Sequence, residues 1–137
     1  MAIVEELLRA EKSGAISFGN HTLTEKSKKE QALTAGDVYK VKTYNEITKL
    51  EKNGMFLYES VPGTSVVDFV EAADEISFKV EGEKDAQLTV GMKDDTEYAV
   101  YVNGAGIGKM RTGLGGKLSL SVELEAAGEI SVRIVEA

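Results

Sequence analysis

The sequence predicts an all-β fold: an antiparallel β-sandwich, or a barrel-like sandwich, of about nine to ten short strands. Three observations predict it. Apolar and polar residues alternate through the second half of the chain, the period expected of a half-buried strand. Turn dipeptides punctuate that alternation, among them Asn53-Gly54, Pro62-Gly63 and Asn103-Gly104. Of the residues 42% are hydrophobic but only 7% aromatic, with no Trp, so the core must rest on Val, Ile and Leu, which fit a pleated surface. At 137 residues without a composition shift, the chain reads as one domain, 1–137.

Taken in order, the first element is ambiguous. In "AIVEELLRAE" the residues Ile3, Val4, Leu7 and Leu8 fall at helical spacing, so a short N-terminal helix stands beside a strand over 3–10. An internal echo and the lack of an N-cap residue favour the strand. "AEKSGAISF" and "LEKNGMFLY" share Glu-Lys-(Ser/Asn)-Gly before an apolar run, which predicts two hairpins with Gly14 and Gly54 in left-handed positions ending type I turns. Between them, "GNHTL" reads as an exposed turn holding His21, and "KSKK" at 26–29 as a solvated connection. A strand follows at 38–44, then two arms around Asn53-Gly54, a turn at Pro62-Gly63, and a strand at 65–70 leading into an acidic connection. Five cleaner strands complete the chain. Their inward residues are Ile76, Phe78 and Val80; Leu88, Val90 and Met92; Tyr98, Val100 and Val102; Leu118, Leu120, Val122 and Leu124; and Ile130, Val132 and Ile134.

"YVNGAGIGKMRTGLGGK" places five of the fourteen glycines between 104 and 115, which raises the question of a phosphate loop. A nucleotide-binding loop of the Gly-x-x-x-x-Gly-Lys-(Ser/Thr) kind needs a hydroxyl after its lysine and a helix behind it. Here Met110 follows Gly108-Lys109, position 103 is Asn, and the chain continues in strand-like alternation. Two turns of a meander are the reading.

Other chemistry is constrained as firmly. The chain has no cysteine, which excludes disulfides, thiolate metal sites and thiol catalysis. A net charge of −7 with no basic stripe disfavours nucleic acid as a partner. "MAIVEELLRAEKSG" lacks the features of a signal peptide and no window reaches a membrane span, so a cytoplasmic location is expected. His21, the single imidazole, has no nucleophile or carboxylate at a telling spacing. The clusters Glu71/Asp74/Glu75 and Asp94/Asp95/Glu97 could offer oxygens to calcium but lack the Asp-x-Asp-x-Asp-Gly rhythm, and read as solvated loops. No catalytic residue, cofactor or metal site is therefore predicted. Tyr39, Tyr44, Tyr58 and Tyr101, read as lying on exposed sides, are the candidates for a sugar-stacking platform or an interface.

The runs "YKVKTYNEITKLEKNGMFLYESVPGT", "ISFGN" and "GKLSLSVEL" resemble a group of small clostridial proteins that carry the name endosialidase. That resemblance implies action on sialic-acid polymers. Sialidases, however, work on a propeller of several hundred residues and hold the substrate carboxylate with an arginine triad. This chain has only Arg9, Arg111 and Arg133, with no sialidase motif around them. Separately, "YAVYVNGAGIGKM" and "GKLSLSVELEAAGEISVRIV" resemble the accessory β-sandwich modules of polysaccharide-acting enzymes, which implies carbohydrate binding without chemistry.

The functional expectation is a non-catalytic structural or assembly protein that forms homo-oligomers. Segments such as "MFLYESV" and "YAVYV" are apolar on both faces, and a sandwich strand needs only one. A carbohydrate-binding module is the alternative, and a small glycosidase the third reading.

Overall fold

The computed structural model describes residues 3–33, 36–125 and 127–137. Among them the chain forms thirteen strands and no α-helix: β1 Leu8–Ala10, β2 Ile16–Phe18, β3 Ser27–Ala32, β4 Val38–Thr43, β5 Thr48–Lys52, β6 Met55–Val61, β7 Ser65–Glu71, β8 Glu75–Glu81, β9 Ala86–Gly91, β10 Glu97–Val102, β11 Ala105–Arg111, β12 Lys117–Val122 and β13 Glu129–Glu136. They build two antiparallel sheets packed face to face. One is seven-stranded, in the order β1-β2-β7-β8-β13-β10-β11; the other is six-stranded, in the order β12-β9-β6-β5-β4-β3.

The alternating segments behave as their period requires. Ile76, Phe78 and Val80 of β8 and Ile130, Val132 and Ile134 of β13 are buried from one sheet. Leu88 and Val90 of β9 and Leu118, Leu120 and Val122 of β12 meet them from the other. At the centre Phe18, Tyr58, Phe69 and Phe78 pack edge-to-face, with Phe69 and Phe78 stacked at 5.5 Å.

Three features differ from the sequence reading. The strand predicted over 3–10 shortens to β1: Glu5 and Glu6 lie in a turn, and Leu7 takes a positive φ of 70° that ends any helical or extended run. From Ser27 on, the "KSKK" run is not a loop but the start of β3, an edge strand that keeps its lysines because one flank of it faces solvent. The echoed hairpins also part company. Gly14 and Gly54 are both left-handed, with φ of 91° and 80°, but Asn53 is left-handed too. Asn tolerates that region far better than Ser, so Asn53-Gly54 closes a two-residue turn while Glu11–Ala15 needs a longer one. Asn103-Gly104 repeats the short turn, with φ of 51° and 82°.

Bulges explain how doubly apolar segments are accommodated. Leu50 pairs with Tyr58 and Glu51 with Phe56, so Leu57 is the extra residue of β6. The bulge lets Leu57 and Tyr58, neighbours in sequence, both be buried. In β11 the extra residue is Ile107, opposite Val100/Tyr101, and it stays 49% exposed. No helix among the described residues is long and apolar enough to cross a membrane.

Candidate functional site

His21 is not the exposed turn histidine that its sequence context suggests. It lies in the turn after β2 but is buried, because β7 packs over it. Its Nδ1 is 2.7 Å from Ser65 Oγ, and its backbone N–H donates to the same oxygen at 3.2 Å. Burial pushes the imidazole below its ordinary value, opposed by the Glu81 and Glu83 carboxylates. Ser65 is itself fully buried, so this serine–histidine pair offers no nucleophile to an incoming substrate. The pair borders a cluster of buried hydroxyls. Thr48 Oγ1 donates to Thr64 O at 2.7 Å, and Thr64 Oγ1 lies 2.8 Å from Tyr58 OH and 2.7 Å from Ser60 Oγ. Each hydroxyl has a partner, which makes this a structural cluster.

The four candidate tyrosines are not brought together. Tyr58 is wholly inside the core, where burial raises its phenol, rather than on an exposed side. Tyr39 is buried at the core edge on β4, above Lys52 and Glu71. Tyr44, just past β4, has Lys26 Nζ 6.0 Å from its ring. Tyr101 alone lies on the outer face of the seven-stranded sheet, with the Arg133 guanidinium 5.6 Å from its centroid. There it borders a shallow groove of about 490 Å3 with Lys79, Ser131 and Asp68.

The arginines are likewise separated. Arg9 pairs with Glu6 and Glu11, Arg111 with Asp95, and Arg133 with Glu75. Arg9 on β1 and Arg111 on β11 occupy opposite edges of one sheet, so the three do not converge on a common carboxylate. The acidic clusters are drawn into the same pairing: Glu71 meets Lys52 at 2.8 Å.

A cleft of about 780 Å3 lies at one end of the sandwich, between the β5–β6, β7–β8, β9–β10 and β11–β12 connections. Phe56, Leu57, Ile76 and Met92 give it apolar walls, and Met55 at its lip is 73% exposed. Several of its polar groups are engaged within the chain. Lys93 pairs with Glu136 at 2.7 Å, Tyr98 OH accepts the Lys93 N–H at 3.0 Å, and Lys117 Nζ sits 4.5 Å over the Phe56 ring. The cleft offers apolar contact with a charged rim.

The sheet edges are the feature that sequence reasoning did not reach, since no local pattern says which strand lies outermost. β1 and β3 share one lateral side: Lys29 Nζ of β3 donates to Glu6 O at 3.0 Å and to Leu8 O of β1 at 3.4 Å. That side is guarded by a three-residue strand and by a lysine turned in across the gap between sheets. β11 and β12, joined by the short link 112–116, bound the opposite side. β11 is bulged at Ile107. β12 pairs with β9 in unbroken register, from Lys117↔Gly91 to Val122↔Ala86, and its other flank is open.

No protein-family model, curated protein or solved structure matches this chain.

Proposed function

We propose that this chain is a non-catalytic structural or assembly protein that associates with copies of itself. One observation supports the reading above all: the two lateral sides of the sandwich are treated oppositely. The β1/β3 side carries the devices that discourage strand addition, and the β11/β12 side leaves a regular strand, β12, with an open ladder. Guarding one side and leaving the other regular suits a protein whose free edge has a partner. Exposed Leu114, at 90%, and Ile107 extend the apolar surface on that side. Sedimentation or light scattering at tens of micromolar tests the reading. A mass that is a multiple of 14.8 kDa is expected, and a monomer at that concentration overturns it.

A second reading, a carbohydrate-binding module, is favoured by the groove beside Tyr101, where an aromatic ring, Arg133 and Lys79 share one outer face. Calorimetric titration with millimolar sugars tests it: heat lost in Tyr101→Ala supports it, and no heat from the native chain removes it. The glycosidase reading implied by the resemblance is tested by release of sialic acid from polysialic acid. Release by the purified chain would overturn the non-catalytic reading.

A further inference from the structure

We infer that the self-association runs edge to edge through β12, fusing the six-stranded sheets of two copies into one continuous antiparallel sheet about a two-fold axis at Leu120. The inference rests on the self-association proposed above and adds the strand, the register and the symmetry.

The backbone decides which groups are free. Met92 N donates to Gly116 O at 2.7 Å, so Gly116 and Met92 form a hydrogen-bonded pair. In an antiparallel ladder bonded and non-bonded pairs alternate, and the register from Lys117 to Val122 is unbroken. Leu118, Leu120 and Val122 therefore spend their N–H and C=O groups on β9, while Lys117, Ser119 and Ser121 direct theirs to the open edge. At the far end Asp85 Oδ1 accepts both Leu124 N at 2.9 Å and Glu125 N at 3.1 Å, which ties the end of the strand to the residue before β9.

The side chains then select a register. Residues opposed across an antiparallel pair share a face, so the axis must pass through a residue position. With Leu120 on the axis, Lys117 of one copy opposes Glu123 of the other, Leu118 opposes Val122, and Ser119 opposes Ser121. Opposite charges meet, the buried side chains extend one apolar layer, and hydroxyls meet on the outer face. The bonded pairs in this register are Lys117–Glu123 and Ser119–Ser121, the very residues whose backbone groups are free. Moving the axis to Ser119 leaves Glu123 facing Gly115, and moving it to Ser121 leaves Glu123 facing Ser119 and gives Lys117 only Glu125, which lies in the turn beyond the strand. The other outer strands do not accept the same operation. β1 is three residues long, β3 turns Lys29 inward and β11 is bulged.

The test measures the dissociation constant of the full chain by sedimentation, alongside far-ultraviolet circular dichroism. Lys117→Glu and Glu123→Lys each set like charges opposite at two symmetry-related places, and each is expected to weaken association by at least about tenfold. The double exchange restores the pair and is expected to return affinity to within about threefold of the native chain. Ser119→Pro removes an outward N–H without breaking a backbone bond to β9, forfeits only the exposed hydroxyl contact with Thr89 at 3.2 Å, and is expected to leave a folded monomer. If native chain and variants all associate equally, or if the double exchange fails to restore what each single one loses, the β12 interface is overturned while self-association stands. If the native chain is itself a monomer, both fall. Should Ser119→Pro misfold, the charge exchange decides alone.

Discussion

His21 Nδ1 sits 2.7 Å from Ser65 Oγ, 44 positions away in sequence, in a site where the imidazole is only 4% exposed. Burial is the larger influence on this ring and holds it below 6.5. A folded-state value below the unfolded one means that the unfolded chain binds the proton more readily. The stability this group contributes is thus full above the unfolded value and falls as the pH drops through it. The expected result is a urea midpoint that declines between about pH 7 and pH 5.5, with that decline reduced in His21→Gln. Glu6, Glu11 and Glu75, held below the usual 4.5 by hydrogen bonds, lose their contribution only at lower pH. A native midpoint that is flat across the histidine window contradicts the assignment.

Leu120 is 3% exposed and belongs to the central core. Leu120→Ala is expected to cost about 2–5 kcal/mol, the transfer term plus the cavity left behind. Denaturant unfolding indistinguishable from the native chain would place that side chain outside the core.

The paired glycines at 115 and 116 are expected to respond differently. A Cβ on Gly116 would lie 2.3 Å from Met92 O, and its φ is +70°, whereas a Cβ on Gly115 would meet nothing within 4 Å. Gly116→Ala should cost at least about 1 kcal/mol from the backbone conformation alone, with the carbonyl clash added. Gly115→Ala should stay within about 0.5 kcal/mol of the native chain. Thermal unfolding of the two variants checks the contrast, and equal effects would refute it.

Asn103 acts twice in its turn. It holds a φ of 51°, and its Oδ1 accepts the Ser131 N–H at 2.9 Å, carrying the ladder one step onto β13. Asn53 does the same for Val38 N at 2.9 Å. Asn103→Ala is expected to cost about 1–2 kcal/mol, and Asn103→Gly less, because glycine restores the conformation and forfeits only the hydrogen bond. A larger loss in the glycine variant would show that the backbone argument is wrong.

Much of the sandwich was legible locally. Alternation in 76–80 and 118–122 named the buried residues, because a strand with one wet face must follow a period of two. Asn103-Gly104 and Asn53-Gly54 announced their turns through positive φ. β3 was not legible: Ser-Lys-Lys-Glu-Gln-Ala has no apolar face, and it is a strand only because β4 supplies its ladder. The shortfall from about nine to ten predicted strands to thirteen has the same origin, with the charged β3 and the glycine-rich β11 lacking a periodic signal of their own. His21 and Tyr58 were misplaced since polar character says nothing about whether a buried hydroxyl waits nearby.

By itself, then, the amino-acid order determined the all-β class, most of the core and the short turns, since each follows from side-chain period or from a backbone angle set within a few residues. Tertiary structure alone decided which strands lie outermost, that Lys29 closes one side and that β12 stays open on the other. Those are matters of long-range hydrogen bonding, and a backbone N–H is the same group in every residue but proline, so the sequence carries no mark of whether it has found a partner.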